Sequence, residues 1–322
     1  MMQPTTINVC FVTDEKPGHK NQLLGLEQSL KLQVNIVSQW VSVSDVSVSW
    51  GDVLFKRLNL QLSQVPDIVV GAGSATHKLV LAIKRKFKCF SVLLMKPSLI
   101  PISCFDALVI PEHDNPPDKS SIYKSCGVLN KVRPRDPNYQ PTRNGLILIG
   151  GQSKHFQWDS DSIWQQVRQI VSDTQDVDHW VLGDSRRTPQ DFKDLVSQDM
   201  LSQDLLSPKL SEQLTYVRHD EVSSDWLPTQ MAQSDRIWIT PDSVSMVYEA
   251  LTSGAETGVL ELQAPKQGRI QAGLEKLIND GLVRQRPDQE LPIQKFRVFC
   301  EADKSAEWII GKYLGSKKLG ND

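Results

Sequence analysis

The sequence lacks several features that would assign it to other protein classes. No run approaches the roughly 18 consecutive apolar residues that a membrane-spanning helix needs. The first residues lack the charged and then apolar order of a signal peptide. No CxxC pair occurs, so neither a zinc cluster nor a disulfide framework is expected from the five dispersed cysteines, which fit a reducing cytosol. We therefore predict a cytoplasmic protein.

The sequence also lacks an excess of charge of either sign. It has 36 basic and 38 acidic residues and a net charge of −2, so no general basic field favours nucleic acid. Hydrophobic residues make up 39% of the 322 residues, which is sufficient for well-packed cores. A chain of this length is typical of two α/β domains of about 150 residues each.

Short apolar runs alternate with amphipathic helical patterns along the chain, which predicts parallel sheets with helical crossovers. The fold class expected is α/β, with two Rossmann-like domains facing across a cleft. Residues 130–144 contain three prolines among charges and are interpreted as the linker. The predicted domains are residues 1–135 and 136–322, with the final helix packing back on the first. The predicted strands are residues 7–12, 68–70, 91–95, 107–110, 146–149, 179–182, 236–240 and 258–262.

Open parallel sheets bind ligands outside the carboxyl ends of their strands, so the loops there are the candidate sites. In the first domain, His19 follows the first strand and could take a proton from an attacking hydroxyl. Alternatively, each loop at the carboxyl end of a strand could be a simple strand-to-helix turn. The other residues expected on this acceptor side are Lys16, Gly18, Gln22, Gly73 and Ser74.

The corresponding loops of the second domain are rich in residues that bind phosphate. Glycines, hydroxyls and cations at strand ends can hold a diphosphate, and an acidic side chain can accept hydrogen bonds from a ribose. The alternatives are a solvated arginine pair, a helix cap and a surface glutamate. The expected donor-binding residues are Gly151, Ser153, Lys154, Arg186, Arg187, Ser243, Ser245 and Glu249.

Seven motifs occur in an order that is specific as a set. They are residues 14–22, 71–73, 96–98, 111–114, 150–151, 185–189 and 240–246. Together they resemble the Elm-type mitochondrial fission family, which also has many bacterial members, and the match covers about residues 8–285. The family's bacterial members are often labelled glycosyltransferases or nucleoside-diphosphate-sugar enzymes. By this resemblance His113 joins the acceptor side.

A more distant likeness concerns the N-acetylglucosaminyltransferase that makes lipid II, an enzyme of the GT-B type. The loop Pro17-Gly18-His19 resembles its Gly-Gly-His loop, and residues 245–255 resemble its donor-binding helix. The likeness implies that His19 lies near the acceptor and that Glu249 binds the donor ribose. Glu256 stands where such enzymes have proline, which leaves the donor preference open.

Three functions follow from these observations. The first is an inverting, metal-independent glycosyltransferase with His19 as its catalytic base, needing no cofactor beyond its nucleotide-sugar substrate. Its acceptor would be a glycan or a lipid-linked sugar. The alternatives are a nucleoside-diphosphate-sugar epimerase and a non-catalytic interaction protein. The basic helix end at residues 84–88 could touch an anionic membrane at the inner face, or could simply be solvated.

Overall fold

The computed structural model describes residues 6–201, 212–223, 225–265, 268–289 and 299–319. Its strands are β1 Ile7–Thr13, β2 Ile36–Ser42, β3 Ile68–Ala72, β4 Phe90–Leu94, β5 Ala107–Pro111, β6 Ile122–Ser125, β7 Asn144–Leu148, β8 His179–Gly183, β9 Leu214–Val217, β10 Arg236–Ile239 and β11 Glu256–Val259. Its helices are α1 Pro17–Gln33, α2 Trp50–Phe55, α3 His77–Phe87, α4 Ser160–Asp173, α5 Gln190–Leu201, α6 Trp226–Gln233, α7 Val244–Ser253, α8 Arg269–Asn279 and α9 Glu301–Leu319.

These elements form two compact units. The first takes the chain up to Lys131 and again from Cys300 onward, and the second runs from Val132 to Phe299. The predicted division at residues 135 and 136 falls just beyond the observed one. The last helix, α9, lies in the first unit, where the Tyr313 hydroxyl donates to Asp67 Oδ1 at 2.8 Å.

Each unit contains one parallel sheet. In the first unit the strand order is β2-β1-β3-β4-β5-β6, and in the second it is β11-β10-β7-β8-β9. The chain reverses its direction of travel across the sheet between β1 and β3, and again between β7 and β10. The prediction of two Rossmann-like α/β domains is confirmed. Crevices at such reversals are where open α/β sheets bind ligands.

Both faces of the first sheet are covered, which explains its continuous apolar runs. One face packs against α1 and α9, with Leu26 and Ile309 fully buried beside Phe11. The opposite face packs against α2 and α3, where Val53 and Ile83 are buried. In the second unit, α4 and α5 cover one face of the sheet around a core that contains Trp164, Trp180 and Phe192.

Most of the predicted strands are present, and the differences concern strand ends and sheet edges. The predicted strand at residues 258–262 begins earlier, at Glu256, and ends at Val259. Three strands had no sequence prediction: β2, β6 and β9. All three lie at the edges of their sheets, where one side of the strand has no neighbour and the apolar pattern is weaker.

Candidate functional site

The loop after β1 holds a histidine against a buried carboxylate. α1 begins at Pro17, whose fixed φ suits a first helical position, so His19 lies in the first turn of α1. His19 Nδ1 lies 2.9 Å from Asp14 Oδ1 and 3.0 Å from Oδ2. The Asp14 side chain is 3% exposed and that of His19 is 21% exposed. Because an ionised carboxylate only accepts hydrogen bonds, Nδ1 is the donor of this contact, and in the neutral imidazole the lone pair then lies on Nε2.

Gly73, which follows β3, forms a wall against the imidazole of His19. A Cβ at position 73 would stand 2.3 Å from both Cε1 and Nδ1 of His19. Its φ of +84° lies in the left-handed region, which side chains rarely adopt. The Thr76 hydroxyl donates to the Gly73 carbonyl at 2.8 Å and so holds the loop in place. The structure therefore joins the loops after β1 and β3 at the reversal point of the first sheet.

The other residues predicted on the acceptor side surround this pair unevenly. Lys16 is exposed, and its Nζ lies 3.7 Å from Asp14 Oδ2. Gln22 is buried, and its Nε2 donates to Met95 Sδ at 3.4 Å, which ties α1 to the loop after β4. Gly18 has open space around it, and Ser74 opens a short 3₁₀ turn next to Gly73. Lys16 and Gly73 thus lie directly beside the histidine and its carboxylate.

His113 lies further along the same edge of the sheet. It is in the 3₁₀ turn Glu112–Asp114, directly after β5. β5 is three strands away from β1, which corresponds to roughly 14 Å at the usual strand spacing. His113 therefore lies on the same edge of the sheet as His19, after a strand three positions further along.

The double glycine after β7 is required by close packing. A Cβ at Gly150 would lie 2.3 Å from Asp242 Oδ2, and one at Gly151 would lie 2.1 Å from the Arg187 carbonyl oxygen. The Gly150 N–H donates to Thr240 Oγ1 at 2.7 Å, and the Gly151 N–H donates to Asp242 Oδ2 at 2.9 Å. The Gly151 N–H is thus already used by the protein, and the glycine serves to bring the loops together.

Asp242 is the buried centre of the second-unit loops. Its side chain is 1% exposed, and its Oδ2 accepts from Arg187 Nη2 at 2.9 Å as well as from Gly151. Within the described part of the chain, its Oδ1 is buried without a hydrogen-bond partner. Arg187, half exposed, also donates to the Gln152 carbonyl at 3.4 Å. These contacts join the loops after β7, β8 and β10 across the reversal point of the second sheet.

A cavity of about 360 Å³ opens beside these loops. Trp226 packs so closely on Gly183 that a Cβ there would stand 2.8 Å from its ring. Arg186 lines the cavity, whereas Arg187 is turned to Asp242, so the two adjacent arginines have different surroundings. The lining residues are Leu148, Ile149, Gly183, Asp184, Ser185, Arg186, His219, Val222, Ser223, Trp226, Leu227 and Met246.

His219 reaches this cavity held by a second buried carboxylate. Asp184, fully buried, accepts from the His219 N–H at 2.7 Å and from its Nδ1 at 2.9 Å. It also accepts from the Tyr216 hydroxyl at 2.7 Å and lies 3.4 Å from Lys193 Nζ. Burial raises the pKa of Tyr216, and its hydrogen bond to Asp184 adds to the effect, so this hydroxyl remains a donor.

The remaining predicted donor-binding residues lie along the same strand ends. Ser153 Oγ accepts from the His155 N–H at 3.2 Å, and Lys154 beside it is exposed. Ser243 precedes α7, but its side chain makes no capping hydrogen bond. Ser245 is exposed in the first turn of α7, and Glu249 is half buried in the next turn. The hydroxyls and the carboxylate therefore follow one another along the beginning of one helix.

In residues 6–201, 212–223, 225–265, 268–289 and 299–319, no group of three His, Cys, Asp or Glu side chains is arranged to hold a metal ion. Across the same ranges, no helix has the length and apolar character to cross a membrane.

Comparison with known proteins establishes the family. The model of a family described as "Mitochondrial fission ELM1" matches residues 17–313. The chain belongs to the mitochondrial fission ELM1 family. A relative, the uncharacterized protein RP120 of Rickettsia prowazekii (strain Madrid E), is 23% identical, and the alignment covers 77% of this chain and 81% of the relative.

The ELM1-family chain also resembles solved structures of low sequence identity. The UDP-GlcNAc 2-epimerase of Methanocaldococcus jannaschii aligns with a TM-score of 0.53 and 11% identity, over 95% of this chain and 100% of the epimerase. MurG of Acinetobacter baumannii aligns with a TM-score of 0.48 and 11% identity, over 96% of this chain and 95% of MurG. The first likeness shows that both proteins share the two-domain Rossmann-like fold.

Glu256 stands where the sequence resemblance implied a proline. It lies away from the candidate site of this ELM1-family protein. It is the first residue of β11 and pairs with Arg236, the first residue of β10. Its carboxylate binds Arg236 Nε at 3.2 Å and Arg284 Nη2 at 2.9 Å. Because the strands are parallel, these residues lie at the amino ends, opposite the edge that carries Asp242.

Sequence reasoning missed four residues that the structure brings into the candidate sites. Asp14 and Asp242 belong to the recognised motifs, yet neither had been given a role; an acidic residue within three positions of a strand end is the signal that would have found them. The pairing of Asp184 with His219 joins residues 35 positions apart, through a strand that had no sequence prediction. The only sequence signal for the Asp184–His219 pair was the histidine that comes shortly after residues 214–217.

Proposed function

We propose that this protein transfers a sugar from a nucleotide-sugar to an acceptor hydroxyl, with His19 as the general base. The observation that carries the proposal is the Asp14–His19 pair at the reversal point of the first sheet. There a buried carboxylate fixes the histidine tautomer that leaves Nε2 able to accept a proton. The donor would be held by the loops of the second unit, and the acceptor would be a glycan or a lipid-linked sugar.

In the proposed reaction, the acceptor oxygen attacks the anomeric carbon of the donor while its proton passes to His19 Nε2. The bond between the anomeric carbon and the diphosphate oxygen breaks, and the nucleoside diphosphate leaves with the bonding electron pair. Asp14 stabilises the imidazolium that forms, and its two short contacts keep the ring from rotating. General base catalysis of this kind contributes about 10²- to 10⁴-fold in rate.

The donor assignment rests on the cavity and the residues that surround it. A cavity of about 360 Å³ lined by Trp226, Met246 and Val222 suits the flat aromatic base of a nucleotide. Arg186 lies in the same lining and would meet the charge of the diphosphate. Glu249 would accept hydrogen bonds from the ribose, and Ser243 and Ser245 would donate to phosphate oxygens at the beginning of α7.

The first experiment measures nucleotide binding by thermal shift and calorimetry, with UDP, GDP, CDP and their sugar conjugates, UDP-N-acetylglucosamine included. A ligand at about 100 times its Kd stabilises a protein by about 2.7 kcal/mol, which gives a clear shift. We expect one nucleotide family to stand out. If a folded sample binds none of them, the proposal fails and a non-catalytic interaction protein becomes the better reading.

The second experiment separates the two units. We expect His19→Ala to leave nucleotide Kd unchanged and to reduce release of the nucleoside diphosphate about 10²-fold or more. Glu249→Gln should weaken nucleotide binding about tenfold, because a charged acceptor is lost. Matched controls are His179→Ala and Glu256→Gln, which change residues at the amino ends of β8 and β11. Equal loss of binding in His19→Ala and Glu249→Gln would contradict this division of roles.

A donor-only incubation followed by NMR distinguishes the epimerase alternative. A glycosyltransferase without acceptor leaves the sugar configuration unchanged, apart from slow hydrolysis. Conversion of the sugar to its epimer by the wild-type protein alone would replace the proposed function with epimerisation.

A further inference from the structure

The short helix α2 presents an apolar face to solvent on the surface of the first unit. Trp50 is 50% exposed, Leu54 61% and Phe55 70%, whereas Val53 between them is buried in the core. The helix is fixed at its beginning by a capping box, in which the Ser49 hydroxyl and the Asp52 carboxylate bond reciprocally to backbone N–H groups. We call Trp50, Leu54 and Phe55 the α2 face.

Cations surround the α2 face because α2 packs against the basic end of α3. Arg85 Nη1 lies 3.5 Å from the Val53 carbonyl, and Lys86 Nζ donates to the Leu58 carbonyl at 2.8 Å. The Arg57 guanidinium lies 5.4 Å from the centre of the Phe55 ring. The basic rim consists of the exposed residues Lys56, Arg57, Arg85 and Lys86. The carboxylate of Asp52, on the same helix, is engaged by the cap.

The size of the α2 face favours a lipid surface over a protein. Six helical residues span only about 9 Å. Stable protein interfaces bury about 800 Å² on each partner, more than three side chains on one short helix present. Binding to a bilayer needs less apolar area, because the attraction of cations to anionic headgroups adds about 1 kcal/mol for each residue near the surface. Aromatic side chains beside snorkelling cations suit the headgroup region.

We propose that the α2 face and the basic rim form a docking surface for a bilayer that contains anionic phospholipids. Trp50, Leu54 and Phe55 insert at the level of the headgroups, and the rim contacts the lipid phosphates. The proposal does not depend on the proposed sugar transfer, since the surface and its test involve neither His19 nor the loops of the second unit.

The test is co-sedimentation of the full chain with vesicles of phosphatidylcholine mixed with phosphatidylglycerol, and with vesicles of phosphatidylcholine alone. We expect binding to the anionic vesicles that weakens as salt is added, and little binding to the neutral ones. The double variant Lys56→Gln/Arg57→Gln should bind roughly 25-fold more weakly, about fivefold for each cation removed. The matched control Lys119→Gln/Lys318→Gln removes two exposed lysines elsewhere and should bind like the wild type.

A second pair of variants tests the apolar contribution. Trp50→Ser/Phe55→Ser should reduce vesicle binding about tenfold or more, because two largely exposed aromatic rings no longer insert. Leu32→Ser, which changes a leucine that is 67% exposed on α1, is the control. Failure to bind anionic vesicles, or equal binding by all variants, would overturn the proposal. So would a self-association in solution that Trp50→Ser/Phe55→Ser abolishes, because the α2 face would then be a protein interface.

Discussion

Gly73→Ala tests whether the candidate base is positioned as the structure describes. The added Cβ would stand 2.3 Å from the His19 ring, whereas ordinary contacts begin at 3.4 Å, so the ring must move by about 1.1 Å. That movement weakens the hydrogen bond with Asp14. The backbone conformation of Gly73, with φ +84° and ψ 155°, is essentially restricted to glycine and adds about 1–3 kcal/mol of strain for any residue with a side chain.

The two costs can be separated with a double-mutant cycle in which His19→Ala is the second change. In that background the ring is absent, so Gly73→Ala should cost only the backbone strain. In the wild type it should cost about 1 kcal/mol more, which is below the range of about 1.5–3 kcal/mol for hydrogen bonds to charged groups because His19 is partly exposed. Urea denaturation of the four proteins gives the coupling energy.

Gly18→Ala is the matched control, because it adds the same methyl group to the same region. No atom lies within 4 Å of its Cβ position, and Gly18 is inside α1, so alanine should be neutral or stabilising by up to about 1 kcal/mol. If Gly73→Ala costs the same with and without His19, the ring does not pack on Gly73 and the reasoning is refuted. In activity, a 1 Å displacement of a catalytic group should cost about 10²-fold.

Three further changes probe other parts of the molecule. Gly151→Ala should destabilise the protein by about 3 kcal/mol or more, because the added Cβ would stand 2.1 Å from the backbone carbonyl oxygen of Arg187. Urea denaturation would detect this loss of stability. Burial lowers the pKa of His77 below 6.5, so just below that pH the unfolded chain binds more protons than the folded one. The free energy of unfolding therefore falls as the pH decreases. His77→Gln should flatten this dependence, which urea midpoints measured against pH would show. Glu256→Gln should leave nucleotide Kd within twofold in calorimetry, since Glu256 lies at the amino ends of the strands.

The sequence predicted the central strands well because they are buried on both faces and read as continuous apolar runs. Residues 7–12 and 68–70 lie within β1 and β3, each flanked on both sides by another strand. The edge strands β2, β6 and β9 escaped prediction because exposure on one side removes the need for apolar residues there. The β2 strand has a single buried residue, Val41, among its seven.

The candidate site was predictable only as a set of separate loops. Parallel sheets place every loop after a strand at one edge, so the position of His19 and Gly73 at that edge followed from the alternation of elements. Which loops touch depends on strand order, and strand order is not written in any local pattern. The contact between His19 and Gly73 exists because β3 lies next to β1, and the contact between Gly151 and Asp242 exists because β10 lies next to β7.

The two aspartate–histidine pairs differ in their surroundings, and this difference bears on the proposal that His19 rather than His219 is the base. Asp184 accepts from the His219 backbone, from Tyr216 and from His219 Nδ1, and Lys193 lies 3.4 Å away, so its negative charge is shared among several donors. Asp14 accepts from His19 Nδ1 with both oxygens and from the Lys16 backbone N–H at 3.2 Å, and the exposed Lys16 ammonium lies 3.7 Å away. A carboxylate whose charge is less compensated stabilises an imidazolium more strongly. In the proposed reaction, the same residue types would therefore give a base at His19 and a rigid lining of the cavity at His219.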